Sequence, residues 1–144
     1  MRIINQVAAV LGSAAVLFAN VSIASAADWT KVTENSVKDQ FFVDTSSIQR
    51  DGEIAWYWEY REFPEANNAF LEAKVDQPVH GAVIRWSADC SVRAQRLRKV
   101  NAYTTNRKLI DKFDYGDEGM LLKPKAGSST YQVLEYVCRS PQKQ

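Results

Sequence analysis

The sequence contains few of the residues that metal sites and many catalytic sites require, with one His and two Cys among 144 residues. Two Cys and one His cannot form a four-ligand zinc site without carboxylates. The chain also lacks an excess of either charge, since 18 Lys and Arg stand against 17 Asp and Glu. Proteins that bind nucleic acid usually carry a basic field, so this balance argues against nucleic acid as a partner.

Long apolar runs are scarce, and the clearest one lies at the N-terminus. A basic residue, Arg2, precedes an apolar stretch over residues 7–19, and the small residues Ala24-Ser25-Ala26 follow. This arrangement is typical of a secretory signal peptide cleaved after Ala26. The run is shorter than the ~20 residues that cross a bilayer. We therefore expect residues 1–26 to be a signal peptide and the mature chain, 27–144, not to span the membrane.

The predicted signal peptide bears on the state of the two cysteines, Cys90 and Cys138, because an exported chain enters an oxidising compartment. An even pair of thiols in an oxidising compartment favours one disulfide, which would stabilise the fold by roughly 4 kcal/mol. Two buried free thiols are the alternative. A redox-active pair is less favoured, because no Cys-x-x-Cys spacing lowers the pKa of either thiol.

The length allows one domain, and a composition of 46% hydrophobic and 24% charged residues is ordinary for a globular protein. Alternation of apolar and polar residues predicts strands over 53–63 and 82–90. Weaker patterns predict short strands elsewhere in the chain, at 40–43, 92–104, 108–113 and 120–122. The stretch 65–75 is compatible with an irregular connection, a short helix or a strand.

The C-terminal segment changes to helical periodicity. Ser129 and Gln132 have the spacing of a capping box, and Tyr131, Leu134 and Cys138 fall on one face of a helix over 130–139. The predicted fold is therefore α+β, a single small domain with an antiparallel sheet of about five or six strands. Its C-terminal helix would be tethered by the disulfide to the end of the strand over 82–90.

Several short motifs, in this order and spacing, resemble the bacterial surface-adhesin protein E family over nearly all of the mature chain. The resemblance rests on Trp29, Phe42-Val43-Asp44, Ser47-Ile48, Trp58, Asp89-Cys90, Arg96-Leu97, Tyr103, Pro124, Gly127-Ser128 and Val137-Cys138.

The resemblance implies a small antiparallel sheet with a disulfide-tethered C-terminal helix. It also implies secretion across the inner membrane to the periplasm or the cell surface. The expected function is a non-catalytic binding module that recognises an extracellular or envelope protein, or a glycan, through its sheet face and loops. A periplasmic accessory or structural protein is the alternative, and a small hydrolase a less favoured one.

An aromatic row is the first candidate binding surface. Trp56, Trp58 and Tyr60 alternate along one predicted strand, and Trp86 lies on another. They could stack against sugars or a peptide, but we favour a hydrophobic sheet face under the helix. A ten-residue helix is about 15 Å long, too short to cover such a sheet. The rest must be exposed, covered by a loop or shared with a second subunit, which makes a homodimer one hypothesis.

A basic run is the second candidate surface and consists of Arg93, Arg96, Arg98 and Lys99. It could bind an anionic glycan, lipid headgroups or an acidic protein. On an extended strand, Arg96 and Arg98 would face one way and Arg93 and Lys99 the other, so a solvated strand with paired charges is favoured.

Catalysis and metal binding have little support in the sequence. The single His80 lies beside Pro78 in a predicted loop, and no nucleophile elbow or phosphate loop occurs. The acidic loop over 111–118 does not have the spacing of an EF-hand. We therefore expect no enzyme, no cofactor and no metal site.

Overall fold

The computed structural model describes residues 27–69, 71 and 74–141, so the predicted signal peptide lies outside the described residues. Eight strands of the described chain form one sheet, in which every neighbouring pair is antiparallel. The strands are β1 Trp29–Glu34, β2 Gln40–Asp44, β3 Gln49–Asp51, β4 Ile54–Glu62, β5 Gly81–Asp89, β6 Ala94–Tyr103, β7 Leu109–Asp114 and β8 Leu121–Leu122.

One helix and two single 3-10 turns complete the described secondary structure. The helix, α1, spans Ser129–Cys138, and the 3-10 turns span Thr45–Ser47 and Gly116–Glu118. The α+β class is confirmed, but the expectation of five or six strands is too low. The sequence patterns missed β1 and β3, which carry no regular alternation of apolar residues.

The strand order across the sheet is β1-β2-β4-β5-β6-β7, with β3 beside β4 and β8 beside β6. At the centre, β4 and β5 pair over their whole length, from Ile54 opposite Asp89 to Glu62 opposite Gly81, with no shift in register. These are the two strands with the clearest sequence alternation. Their long, regular pairing sets which side chains share a face.

Local chemistry explains where several elements begin and end. Asp44 caps the first 3-10 turn, because its carboxylate accepts a hydrogen bond from the Ser46 backbone N–H at 3.1 Å. Gly52, between β3 and β4, has φ of +61°, a backbone conformation that glycine adopts without strain. Pro64 follows the end of β4 after one residue.

The core lies between one face of the sheet and two covering segments. From the sheet it contains Tyr57 of β4 and Ile84 of β5, which are almost fully buried. Helix α1 packs against β1, β2 and β4 and inserts Val133, Leu134 and Val137. The connection between β4 and β5 contributes further buried residues, Phe63 and Val79. A loop therefore covers the part of this face that the helix cannot reach.

The disulfide is formed as predicted. Cys90 follows β5, Cys138 ends α1, and their Sγ atoms are 2.08 Å apart. The predicted capping residue is wrong by one position, because Ser128, not Ser129, accepts the hydrogen bond from the Tyr131 backbone N–H. No helix among residues 27–69, 71 and 74–141 has the length and hydropathy to cross a membrane.

Candidate binding surface

The aromatic row lies on the sheet face opposite the helix, which we call the outer face. Trp56, Trp58 and Tyr60 are partly exposed there, while Tyr57 and Glu59 between them are buried on the helix side. The favoured sequence interpretation, a face under the helix, is therefore wrong for these three residues. Alternation along β4 correctly separated the two sets of side chains but did not tell which set is buried.

Trp86 does not belong to the aromatic row. It pairs in register with Tyr57, so its side chain lies on the helix side and is only 3% exposed. Its indole Nε1 donates a hydrogen bond of 2.7 Å to the Glu59 carboxylate, which also accepts one of 3.0 Å from Arg61. The indole N–H of Trp86 therefore has its hydrogen-bond partner within the core, and Trp86 is not part of the candidate surface.

Arg85, on the outer face of β5, takes the place beside the aromatic row that was expected for Trp86. It pairs in register with Trp58, and its guanidinium carbon lies 5.5 Å from the ring centres of both Trp56 and Trp58. Arg98 contacts the Trp56 ring as well, at 4.7 Å. Two indoles and two guanidinium groups therefore alternate across the sheet as a Trp–Arg ladder, with distances typical of cation–π contacts.

A bulge in β6 changes the predicted arrangement of the basic run. Arg85 pairs with Lys99 and Trp86 with Leu97, so Arg98 is an extra residue between them. Arg98 and Lys99 are consequently both unburied, in place of the strict alternation that would separate them. The bulge also explains why alternation in this part of the sequence is poor.

The four residues of the basic run are distributed among different partners. Arg93 has a φ of +53° and donates hydrogen bonds to Glu135 of α1 and to the Cys90 carbonyl. Arg96 donates to the Gly119 carbonyl at 2.8 Å, and Arg98 to Ser87 at 2.9 Å and to Asp117. The structure therefore does not bring the run together as one basic patch; Arg98 alone joins the Trp–Arg ladder.

Beside the ladder, the outer face has an aromatic cavity of about 400 Å³. Its lining residues come from β1, β2, β4, β5, β6 and the turn after β6, and they are Trp29, Phe42, Tyr60, Glu62, Val83, Tyr103 and Arg107. The rings of Trp29 and Phe42 lie 5.9 and 5.6 Å from that of Tyr60.

The rim of the aromatic cavity is polar. Glu62 accepts hydrogen bonds from the Tyr60 hydroxyl at 2.8 Å and from Arg107 at 3.1 Å. Burial, together with the hydrogen bond to the Glu62 carboxylate, raises the pKa of Tyr60 to about 12. Tyr60 therefore stays a neutral hydrogen-bond donor across the physiological pH range, and the cavity combines an apolar floor with a charged edge.

Sequence reasoning missed Arg85 and most of the cavity residues. Alternation placed Arg85 on one face of its strand with Val83, but only the register with β4 shows that this face also carries Trp56 and Trp58. The apolar character of Phe42 and Val83 was visible, but their proximity results from pairing between strands distant in sequence.

His80 was the one residue that the sequence offered for catalysis. His80 lies in the loop before β5, and its Nδ1 is 2.9 Å from the Phe63 carbonyl oxygen. Within the part of the chain that the structure describes, no three His, Cys, Asp or Glu side chains are arranged to hold a metal ion.

Known proteins share the family and the fold of this chain. The family described as surface-adhesin protein E matches residues 29–139. Crystal form II of Haemophilus influenzae protein E is 10% identical, with a TM-score of 0.53 over 76% of this chain and 86% of that one. A second structure of that protein is 10% identical, with a TM-score of 0.51 over 76% and 83%.

A third solved structure, protein E from non-typeable Haemophilus influenzae, is 11% identical, with a TM-score of 0.50 over 76% of this chain and 74% of that one. No curated protein matches the sequence significantly. At such low identity, the solved structures share the fold with this chain, and the fold alone does not identify a ligand.

Proposed function

Since the chain belongs to the surface-adhesin protein E family, we propose that it is a non-catalytic binding module of the bacterial cell envelope. The signal peptide over residues 1–26 would export it across the inner membrane, and it would act as an adhesin at the cell surface. The observation that carries this proposal is the outer face, where aromatic and basic side chains stand together on the side of the sheet opposite α1.

The size of the outer face suits a binding role. Its central strands are nine residues long, and six strands lie side by side. At about 3.3 Å per residue and 4.8 Å between strands, the face measures roughly 700 Å². A standard protein–protein interface buries about 800 Å² on each partner.

The composition of the face supports the same role. Trp, Tyr, Phe and Arg are the residues enriched at the centres of protein interfaces, and they form both the Trp–Arg ladder and the aromatic cavity. The proposed partner is an extracellular or envelope protein, or a glycan, bound by this face and the adjoining loops. No cofactor enters the proposed activity.

Location is tested by protease treatment of intact cells that produce a tagged chain, with a periplasmic protein as control. Cleavage with the control intact supports the adhesin. Protection until the envelope is opened contradicts surface exposure and favours the alternative, a periplasmic accessory or structural protein whose partner is another envelope protein.

Binding is tested on immobilised extracellular-matrix proteins and glycans. We expect the Trp56→Ala/Trp58→Ala double variant to lose binding, because it removes the partly exposed indoles of the Trp–Arg ladder. The matched control is Val37→Ala, which truncates an apolar side chain exposed at 66% outside the ladder and cavity. His80→Ala should also bind normally, and loss of a measured activity in that variant with folding intact would favour a hydrolase.

A second copy of this chain, rather than a partner protein or glycan, could also cover the outer face, which would make the protein a homodimer. Light scattering at high micromolar concentration of the mature chain tests it. A monomer under those conditions contradicts the homodimer and leaves the face free for another partner.

A further inference from the structure

Arg85 is the one arginine among residues 27–69, 71 and 74–141 for which the structure shows no hydrogen bond or ion pair. Every other arginine in these ranges donates to a carboxylate or to a backbone carbonyl. The contacts of the Arg85 guanidinium are with the rings of Trp56 and Trp58. Its planar fork of five N–H donors is therefore available to a ligand.

The surroundings of Arg85 make it suited to bind an anion. The two indoles hold the guanidinium, so less side-chain freedom is lost when a ligand binds. Partial burial disfavours the charged form and lowers the pKa of Arg85, although an arginine stays protonated. A carboxylate would compensate for this burial through two parallel hydrogen bonds, the geometry that a guanidinium fork favours.

The aromatic cavity begins one step along the same strand. Val83, which lines it, is two residues from Arg85 on β5, so both side chains stand on the outer face about 7 Å apart. In an extended peptide, side chains at positions i and i+2 also share one side at the same spacing. One extended segment could therefore reach the guanidinium fork and the cavity together.

We propose that Arg85 and the aromatic cavity form a two-part site for an extended acidic segment of a partner protein. An Asp or Glu of that segment pairs with the Arg85 guanidinium, and a large apolar side chain two positions away fills the cavity between Trp29, Tyr60 and Tyr103. This inference rests on the proposed binding function and specifies its ligand.

Two other occupants fit the same surface less well. A second copy docked face to face would bring two Arg85 cations toward each other, which like-charge repulsion disfavours. An anionic glycan would satisfy Arg85 and could stack a sugar ring on the aromatic side chains, but it carries no apolar side chain that would enter and fill the cavity. A peptide supplies a carboxylate and an apolar side chain at the required spacing.

The test begins with a phage-displayed library of random twelve-residue peptides, selected on the mature disulfide-bonded chain and counter-selected on Arg85→Gln. We expect the enriched peptides to carry Asp or Glu two positions from Phe, Tyr, Trp, Leu, Ile or Met. A synthetic copy of one enriched peptide is then titrated while tryptophan fluorescence is recorded, because Trp56 and Trp58 flank the guanidinium.

In that titration, Arg85→Gln should weaken binding by about tenfold or more, the value expected for a charged hydrogen-bonded pair. Arg85→Lys should weaken it by a similar factor, since Lys lacks the bidentate fork. Tyr103→Ala, in the cavity, should also weaken binding. The matched control is Arg139→Gln, which removes one exposed arginine charge from the end of α1 on the opposite side of the sheet and should leave affinity within about twofold.

A change in the peptide tests the site without altering the protein. Replacing the acidic residue by its amide should weaken binding as much as Arg85→Gln does, and it should have no effect on the Arg85→Gln protein. Equal affinity of the acid and amide peptides overturns the proposal. So does enrichment of peptides without the acidic–x–apolar pattern.

Two further measurements separate this site from the other occupants and from the general function. Heparin that binds in an Arg85-dependent manner, with no peptide enriched, overturns the proposal in favour of a glycan. A dimer that Arg85→Gln dissociates overturns it in favour of a second copy. Matrix binding that depends on Trp56 and Trp58 but not on Arg85 overturns this site while the proposed binding function stands.

Discussion

Reduction of the Cys90–Cys138 disulfide should lower the free energy of unfolding by about 4 kcal/mol while the native fold persists. The bond joins residues 48 positions apart. In the chain-entropy model, a cross-link over a loop of this size removes about 14 cal/mol/K of entropy from the unfolded chain, which is about 4 kcal/mol at 25 °C. Typical domains have a total stability of 5–15 kcal/mol, so this loss is a large fraction.

The native position of the helix does not depend on the disulfide alone. Val133, Leu134 and Val137 of α1 are at most 1% exposed, and their burial holds the helix on the sheet. Arg50 adds a hydrogen bond of 2.9 Å to the Cys138 carbonyl oxygen. We therefore expect the cross-link to act mainly on the unfolded chain, so that the reduced protein keeps a native near-ultraviolet circular dichroism spectrum before denaturant is added.

Urea unfolding of the oxidised protein, the reduced protein and the Cys90→Ala/Cys138→Ala variant measures this effect. The reduced protein keeps both sulfur atoms, so its difference from the oxidised form isolates the cross-link, while the variant adds the loss of side-chain packing. The midpoint of thermal unfolding should fall by about 15 °C on reduction. A difference below about 1 kcal/mol between the oxidised and reduced forms, or loss of helix signal without denaturant, would refute this reasoning.

Three further predictions concern local features. Ser128→Ala should cost about 1 kcal/mol of stability by removing the helix cap, while Ser129→Ala should cost much less; equal losses in urea unfolding would contradict the assigned cap. Gly119→Ala should cost about 1–3 kcal/mol or more, because a Cβ there would lie 1.8 Å from the Leu97 carbonyl oxygen, and an unchanged melting temperature would be inconsistent with this close approach. The pKa of Tyr60 is raised from 10.0 to about 12 in the folded protein, so the unfolded chain loses the hydroxyl proton at lower pH than the folded protein does. The contribution of this shift to the free energy of unfolding is therefore complete below pH 10 and is lost as the pH rises to about 12. Tyr60→Phe should flatten the fall in stability over this interval, and identical pH profiles of the two proteins would disprove the assignment.

Several features of the fold could be predicted from the sequence because their causes are local. The central strands followed from alternation over 53–63 and 82–90. The pairing of Cys90 with Cys138 followed from the even number of thiols and the predicted signal peptide. The approximate bounds of α1 followed from helical periodicity.

Other elements could not be predicted from local patterns. Strand β1, Trp29–Glu34, lies at the edge of the sheet and mixes exposed and partly buried residues, so its sequence shows no clean alternation. Strand β3 has three residues, too few for periodicity to appear. The helix cap was misplaced because Ser128 and Ser129 are both suitable capping residues, and only the backbone geometry decides between them.

The outer face is a consequence of tertiary structure. Alternation tells which side chains of one strand share a face, but the buried side is decided by where the helix and the long connection pack. For this reason Trp86 was grouped with Trp56 and Trp58 although it lies on the opposite face, and Arg85 was overlooked. The bulge at Arg98 similarly reorients Lys99 through pairing with β5. Short-range chemistry thus set the central strands and the helix, while register between distant strands placed the guanidinium of Arg85 between two indoles.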